Sequence, residues 1–199
     1  MQPTKDDKIL DLGGDDGTHM ASIFAEPQRG NIYISDIREK KLLKARELYG
    51  FKTILIQEDG SIPSNFDIIF CSSVIEHVTI PKKDIYHLKS GQTFETESFE
   101  RQKQFAKEIR SKSQRYFVQT PYKYYPIESH TWLPFIIVFL PRETQIKFIR
   151  FINKFWIKRT QPDFYLLTIR QMQELFPEAK IVKEKFLGLT KSIIAVKNE

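Results

Sequence analysis

A cluster of glycines and acids near the N-terminus carries the first chemistry that can be read from this sequence. The apolar run Lys8-Ile-Leu-Asp-Leu12 stops at Gly13-Gly14-Asp15-Asp16-Gly17. Glycines let a turn pass close to a ligand and aim backbone N–H groups at an anion beside a helix N-terminus. A nicotinamide fingerprint wants glycines at relative positions one, three and six, whereas here they fall at one, two and five. No Gly-Lys-Ser/Thr follows for a P-loop, and there is no Gly-x-Ser-x-Gly elbow. His77, Glu128 and His130 are the best candidates for proton transfer. Glu128 and His130 are two apart, so on an extended loop they face the same side. Four scattered histidines and one cysteine offer no familiar metal-ligand spacing.

Alternating strands and helices must position these groups. After the glycine turn, Thr18 to Pro27 has helical spacing, Asn31 to Asp36 reads as a strand ending in an acid, and Glu39 to Tyr49 is an amphipathic helix closed by Gly50. Lys52 to Gln57, Phe66 to Cys71 and Tyr116 to Thr120 read as further strands, with a helix from Glu97 to Lys112. The strands are continuously apolar, which predicts a parallel sheet covered on both faces. Past Pro121 the rhythm breaks. Tyr122 to Thr160 is aromatic, basic and punctuated by prolines; a helix around Thr168 to Phe176 and an antiparallel pair turning at Gly188 follow. The expected organisation is one domain over 1–199, with 122–160 as an inserted lid or substrate segment.

Composition suits an ordinary globular chain: 41% hydrophobic and 28% charged residues in 199. The lone Cys71 forms no internal disulfide, which points to a reducing, cytoplasmic setting. The N-terminus enters a strand pattern without the long apolar region of a secretory signal. Phe135 to Leu140, the longest apolar stretch, is far short of the roughly 20 residues that span a bilayer.

On these residues the sequence resembles the class I S-adenosylmethionine-dependent methyltransferases, of the type 11-like group with a lid inserted after the fifth strand. Their first motif is acid-x-Gly-x-Gly-x-Gly; Asp11, Gly13 and Gly17 match it, and Asp15 replaces the middle glycine. The resemblance continues through Asn31 to Asp36, through Glu58-Asp59 before Ile62-Pro63, and through Phe66-Asp67 with Ile75-Glu76-His77-Val78 after it. It implies an α/β, Rossmann-like, doubly wound seven-stranded mixed sheet, order 3-2-1-4-5-7-6, with the last strand antiparallel. It also implies S-adenosylmethionine as cofactor. Asp11, Gly13, Gly14, Asp15 and Gly17 would meet its methionine part, the glycine amides aimed at its carboxylate. Asp36, 19 residues after Gly17, would take the ribose hydroxyls, with Ile37 beside it. Glu58 or Asp59 would take the adenine amino group, and Ser72 would border the site. Asp36 also stands where a helix N-cap would, with Glu39 at the capping-box position.

The implied reaction is methyl transfer to a small-molecule or glycan-like acceptor, with His77, Glu128 or His130 as base for a hydroxyl. The different-class alternative is a catalytically silent, methyltransferase-shaped subunit that binds a partner; Asp15 and the lack of a helix before the first strand motivate it. Arg142 to Thr160 holds six Lys or Arg and one Glu. Lys147, Arg150, Lys154 and Lys158 fall on one helical face, with Phe148, Ile149, Ile152, Phe155 and Trp156 on the other. That suits a lid helix or a peripheral membrane contact through 142–159. Nucleic acid is disfavoured, because basic and stacking residues are not interleaved on a sheet surface.

Overall fold

The first strands are too apolar to face water on either side. Ile9–Leu12 (β1) is buried at all four positions and Ile32–Asp36 (β2) at four of five, as strands between two layers of helices must be. The computed structural model of the protein describes residues 2–57, 60–126, 140–155 and 161–198. Within them, Lys52–Leu55 (β3), Ile68–Ser72 (β4), Arg115–Pro121 (β5), Lys180–Phe186 (β6) and Leu189–Lys197 (β7) complete one sheet of order β3-β2-β1-β4-β5-β7-β6. The first five strands are parallel, and β7 is antiparallel to both its neighbours. The implied order and the antiparallel last strand are both observed.

Helices Thr18–Ile23 (α1) and Glu39–Tyr49 (α2) precede Gly91–Lys112 (α3), Arg142–Ile152 (α4) and Ile169–Leu175 (α5). Met20, Leu42 and Ala45 join Ile9, Ile34 and Ile68 in one apolar cluster. Phe105, Ile109, Met172 and Leu175 join Leu10, Ile69 and Val118 in a larger cluster. Neighbouring β1 residues Ile9 and Leu10 belong to different clusters, so the sheet is covered on both faces. A fully buried Leu or Ile such as Leu10 or Ile34 contributes about 1.5–3 kcal/mol. A third, smaller cluster ties α4 to the segment before α5 through Ile149, Phe164 and Leu166.

Several boundaries differ from the sequence reading, each for a local reason. The first helix ends at Ile23, and a 3-10 turn over Glu26–Asn31 replaces its expected last turn. There Arg29 donates to the carbonyls of Ala21 and Phe24, closing the helix end. Helix α3 begins at Gly91 instead of Glu97, because the Ser90 hydroxyl accepts the Thr93 amide as an N-cap. Strand β7 begins at Leu189 instead of Ser192; Leu187 and Gly188, both at positive φ, make the hairpin turn. Among the described residues no helix is long and apolar enough to cross a membrane.

Candidate functional site

β1 pairs with β2 on one side and β4 on the other, so the order reverses between β1 and β4 and the loops leaving their carboxyl ends part there. These loops touch. Gly13 and Gly14 both donate their amides to the Ser35 carbonyl at 2.9 Å, tying the first loop to the end of β2. A Cβ built on Gly13 would lie 2.4 Å from Val74 Cγ2, so the loop after β4 closes on the same turn. The Ile56 amide donates to the Asp36 carbonyl at 3.1 Å, bringing in the chain after β3. Gly13 (φ 76), Asp15 (φ 54) and Gly17 (φ 76) all adopt the left-handed conformation, which glycine reaches without strain and Asp tolerates better than most residues.

One expectation about this turn needs correction. The amides of Gly13 and Gly14 are not aimed at a methionine carboxylate, since the Ser35 carbonyl accepts from both. The carboxylate of Asp15, about half exposed, sits 2.7 Å from Lys41 Nζ and 3.6 Å from Arg38. Two cations answer the charge that departs from the motif.

Asp36 ends β2 at 6% exposure. Arg38 closes on it: Nε and one Nη donate to the two carboxylate oxygens at 2.9 and 3.0 Å, and the Arg38 amide adds a third bond at 2.9 Å. Burial alone would push the Asp36 carboxyl up; the bonds from Arg38 outweigh it and hold the group below the usual carboxylate value. Asp36 therefore does not form a capping box with Glu39, because Arg38 is the N-cap of α2 and its amide uses the carboxylate. Ile37 stands beside it, 44% exposed.

Asp11 lies beneath the turn. It is 3% exposed, and its Oδ2 has no hydrogen-bond partner among the described residues. Gly14 packs directly over it; a Cβ there would lie 2.3 Å from that oxygen. Burial, with the nearby Asp36 charge adding to it, pushes the Asp11 carboxyl up to about 7.

Across the switch point, Ile75–His77 forms a single 3-10 turn after β4. Glu76 points into the protein, fully buried, and accepts from the Thr120 hydroxyl of β5 at 2.9 Å. His77 points the other way, about one-third exposed, with Nδ1 3.5 Å from the Asp163 carboxylate. The segment carrying Asp163 is pinned to this turn. Thr79 Oγ1 donates to the Asp163 carbonyl, the Tyr165 amide donates to the Glu76 carbonyl at 2.8 Å, and Gln102 Nε2 bridges the Ile75 and Tyr165 carbonyls. Ser72 and Ser73 both bond Gln119 Oε1, fixing the start of the loop.

Comparison with solved structures finds this fold elsewhere. The methyltransferase domain of bacterial CtHen1 superposes with a TM-score of 0.54 at 12% identity, over 97% of this chain and 91% of that one. PigF with SAH gives 0.56 at 13% identity, over 100% of this chain and 52% of that one. A putative O-methyltransferase from Nostoc punctiforme gives 0.56 at 14%, over 96% of this chain and 51% of that one. The chain has the class I methyltransferase fold. It spans about half the length of the latter two, and no family model and no curated protein matches its sequence.

Within that fold, the described turn, Asp36, Ile37, Ser72 and His77 border the carboxyl ends of β1, β2 and β4. Glu58 and Asp59, and in the insertion Glu128 and His130, lie outside the described residues. The basic helix forms as α4, yet its first residue Arg142 is buried while Phe148, Phe151 and Phe155 are 40%, 59% and 66% exposed. Of the face expected to be apolar, Ile149 packs and Ile152 is partly buried against it, while Phe148 and Phe155 are exposed; Trp156 and Lys158 lie outside the described residues.

Three residues escaped sequence reasoning. Arg38 was legible in principle, since an arginine two positions after a strand-end acid can fold back on it. Asp163 stands 86 positions after His77, and only the tertiary fold pairs them. Arg142 stands in the sequence only as one of the six basic residues of its segment, and it lies off the step of Lys147, Arg150 and Lys154.

Proposed function

We propose that this chain is a methyltransferase that uses S-adenosylmethionine and delivers the methyl group to a hydroxyl on a small-molecule or glycan-like acceptor. What carries the reading is the meeting of the left-handed turn at Gly13, Asp15 and Gly17 with the buried carboxylate of Asp36 at the reversal of strand order. The residues fit an adenosyl ligand. Asp36 would hold the ribose hydroxyls once Arg38 yields, Ile37 would lie against the adenine, and Glu58 or Asp59 would accept from its amino group. Asp11, Gly13, Gly14, Asp15, Gly17 and Ser72 would border the remainder. The cofactor supplies a methyl group already activated on a sulfonium, so the protein needs only to align the acceptor and exclude water.

His77 would take the hydroxyl proton at Nε2, while Asp163 at Nδ1 orients the ring and stabilises the imidazolium. Glu128 and His130 are proposed to face the acceptor from segment 122–160, which would act as a lid. Incubation with methyl-tritiated S-adenosylmethionine and a panel of hydroxylated small molecules and glycans tests the reading. Transfer that depends on His77 supports it, and a cofactor that fails to bind contradicts it.

The second element of the reading concerns α4. Exposed Phe148, Phe151 and Lys147 of α4, with exposed Lys154 and Phe155 in the turn after it, give the mix of aromatic and basic groups found where helices lie in a membrane interface. Peripheral contact with anionic lipid is proposed. Cosedimentation with phosphatidylserine vesicles should be lost when Phe151 and Phe155 become Ser; absence of wild-type binding would remove this element.

A further inference from the structure

A cation taken out of water needs a nearby group that answers its charge. Arg142, the first residue of α4, is 4% exposed, and its polar contacts are all neutral. One Nη donates to Gln145 Oε1 at 2.9 Å, the other to the Ile85 carbonyl at 3.0 Å, and the guanidinium lies 3.8 Å from the centre of the Phe94 ring. Its Nε has no hydrogen-bond partner among the described residues. No carboxylate among the described residues forms an ion pair with it. Burial pulls the group down to about 10, while Asp163 and Tyr86 act against that from farther away. Three of the five guanidinium N–H donors find no acceptor among the described residues.

A cavity of about 50 Å³ adjoins this side chain, lined among others by Gly91, Glu95, Lys123, Gln145 and Tyr165. Two helices begin at it. Gly91 opens α3 and Arg142 opens α4, and a Cβ on Gly91 would lie 3.7 Å from Arg142 Cβ and 4.0 Å from its backbone nitrogen. Each helix N-terminus carries partial positive charge. Ser90 caps α3, but Pro141 before α4 offers no side-chain cap. Half-buried Lys123 adds a second cation, and Glu95, the acid among the described lining residues, is exposed to solvent. The volume is room for a few water-sized groups, the size of one oxyanion and too small for a ring.

We propose that this cavity is an oxyanion subsite for the methyl acceptor, seating a carboxylate or phosphoryl group between Arg142, Lys123 and the first turns of α3 and α4. The subsite shares a short segment with the proposed base: Tyr165 lines the cavity, and Asp163, two residues earlier, contacts His77. An acceptor anchored by its anion would extend from Arg142 along this segment toward His77. The substrate class is therefore hydroxylated acids or phosphorylated hydroxy compounds. Calling the ligand an acceptor rests on the methyl-transfer reading, whereas the anion site does not.

Calorimetric titration of the full chain with sodium acetate and, separately, with inorganic phosphate at constant ionic strength tests this without turnover. The wild type should bind at least one at millimolar concentration; acetate alone assigns a carboxylate acceptor and phosphate alone a phosphoryl one. Arg142→Gln and Lys123→Gln should each weaken that binding at least tenfold while S-adenosylhomocysteine binds as before. Should Arg142→Gln fail to fold, the half-buried Lys123→Gln decides. No binding of either anion by the wild type, or undiminished binding by Lys123→Gln and by any folded Arg142 variant, overturns the proposal. Anion binding without S-adenosylhomocysteine binding would leave the subsite standing and remove the methyltransferase reading instead.

Discussion

Arg38 grips both carboxylate oxygens of Asp36, at 2.9 and 3.0 Å, at the end of β2 where the proposed ribose contact lies. A ligand needing those oxygens must displace a charge-assisted fork, and its apparent affinity is reduced by the fraction of time the fork is closed. Arg38 is about half exposed, so solvent weakens the grip and the guanidinium has room to swing out. Arg38→Ala should tighten S-adenosylhomocysteine binding on the order of tenfold. Weaker binding in the variant would show that Arg38 serves the ligand directly.

The first turn is predicted to tolerate no side chain at Gly13. Alanine there would adopt φ 76 and press its Cβ to 2.4 Å from Val74 Cγ2. The backbone strain alone costs about 1–2 kcal/mol, and the clash adds to it. Urea unfolding should show the loss, and Val74→Ala should recover only the clash portion. Full recovery would mean the backbone there is unstrained.

Asp11 sets a pH dependence of stability. Its carboxyl is raised from 3.8 to about 7 in the folded protein, with Asp36 the charged neighbour that adds to burial. Below pH 3.8 both folded and unfolded chains hold the proton, and the group costs nothing. The penalty grows as pH rises from about 4 to 7 and is complete above that, because only the folded state resists ionisation. Relative to wild type, Asp11→Asn should gain on the order of a few kcal/mol between pH 5 and pH 8. Parallel pH profiles for the two proteins would contradict this.

The proton path is predicted to run through His77. With an acceptor in hand, His77→Asn should lower kcat about a hundredfold or more and leave KM nearly unchanged. Asp163→Asn should lower kcat less than His77→Asn does, because the ring loses the carboxylate that orients it. An unchanged kcat would reduce Asp163 to a structural contact.

Much of the sheet was legible because its central strands β1, β2 and β4 are continuously apolar and their turns carry Gly, Asp or Pro. The start of α3 was not. Its buried face runs Phe94, Ser98, Gln102, Phe105 and Ile109, and two polar residues in that stripe erase the hydrophobic period. Gln102 is there to bridge the Ile75 and Tyr165 carbonyls, a need visible only once both segments are in place. The site divides the same way. Asp11, Gly13, Gly17 and Asp36 sit on consecutive elements whose spacing survives in one dimension, whereas the His77–Asp163 pair and the Arg142 cavity arise from long-range packing. The glycine amides misled for a third reason: their type announces a close approach, and the approaching group is the Ser35 carbonyl.

One titration bears most directly on the whole account: S-adenosylhomocysteine into wild type and into Asp36→Ala, with folding of both checked by circular dichroism. Micromolar affinity in the wild type, abolished in the folded variant, is the expected result. A wild type that takes up no ligand, or a variant that binds equally well, would contradict it.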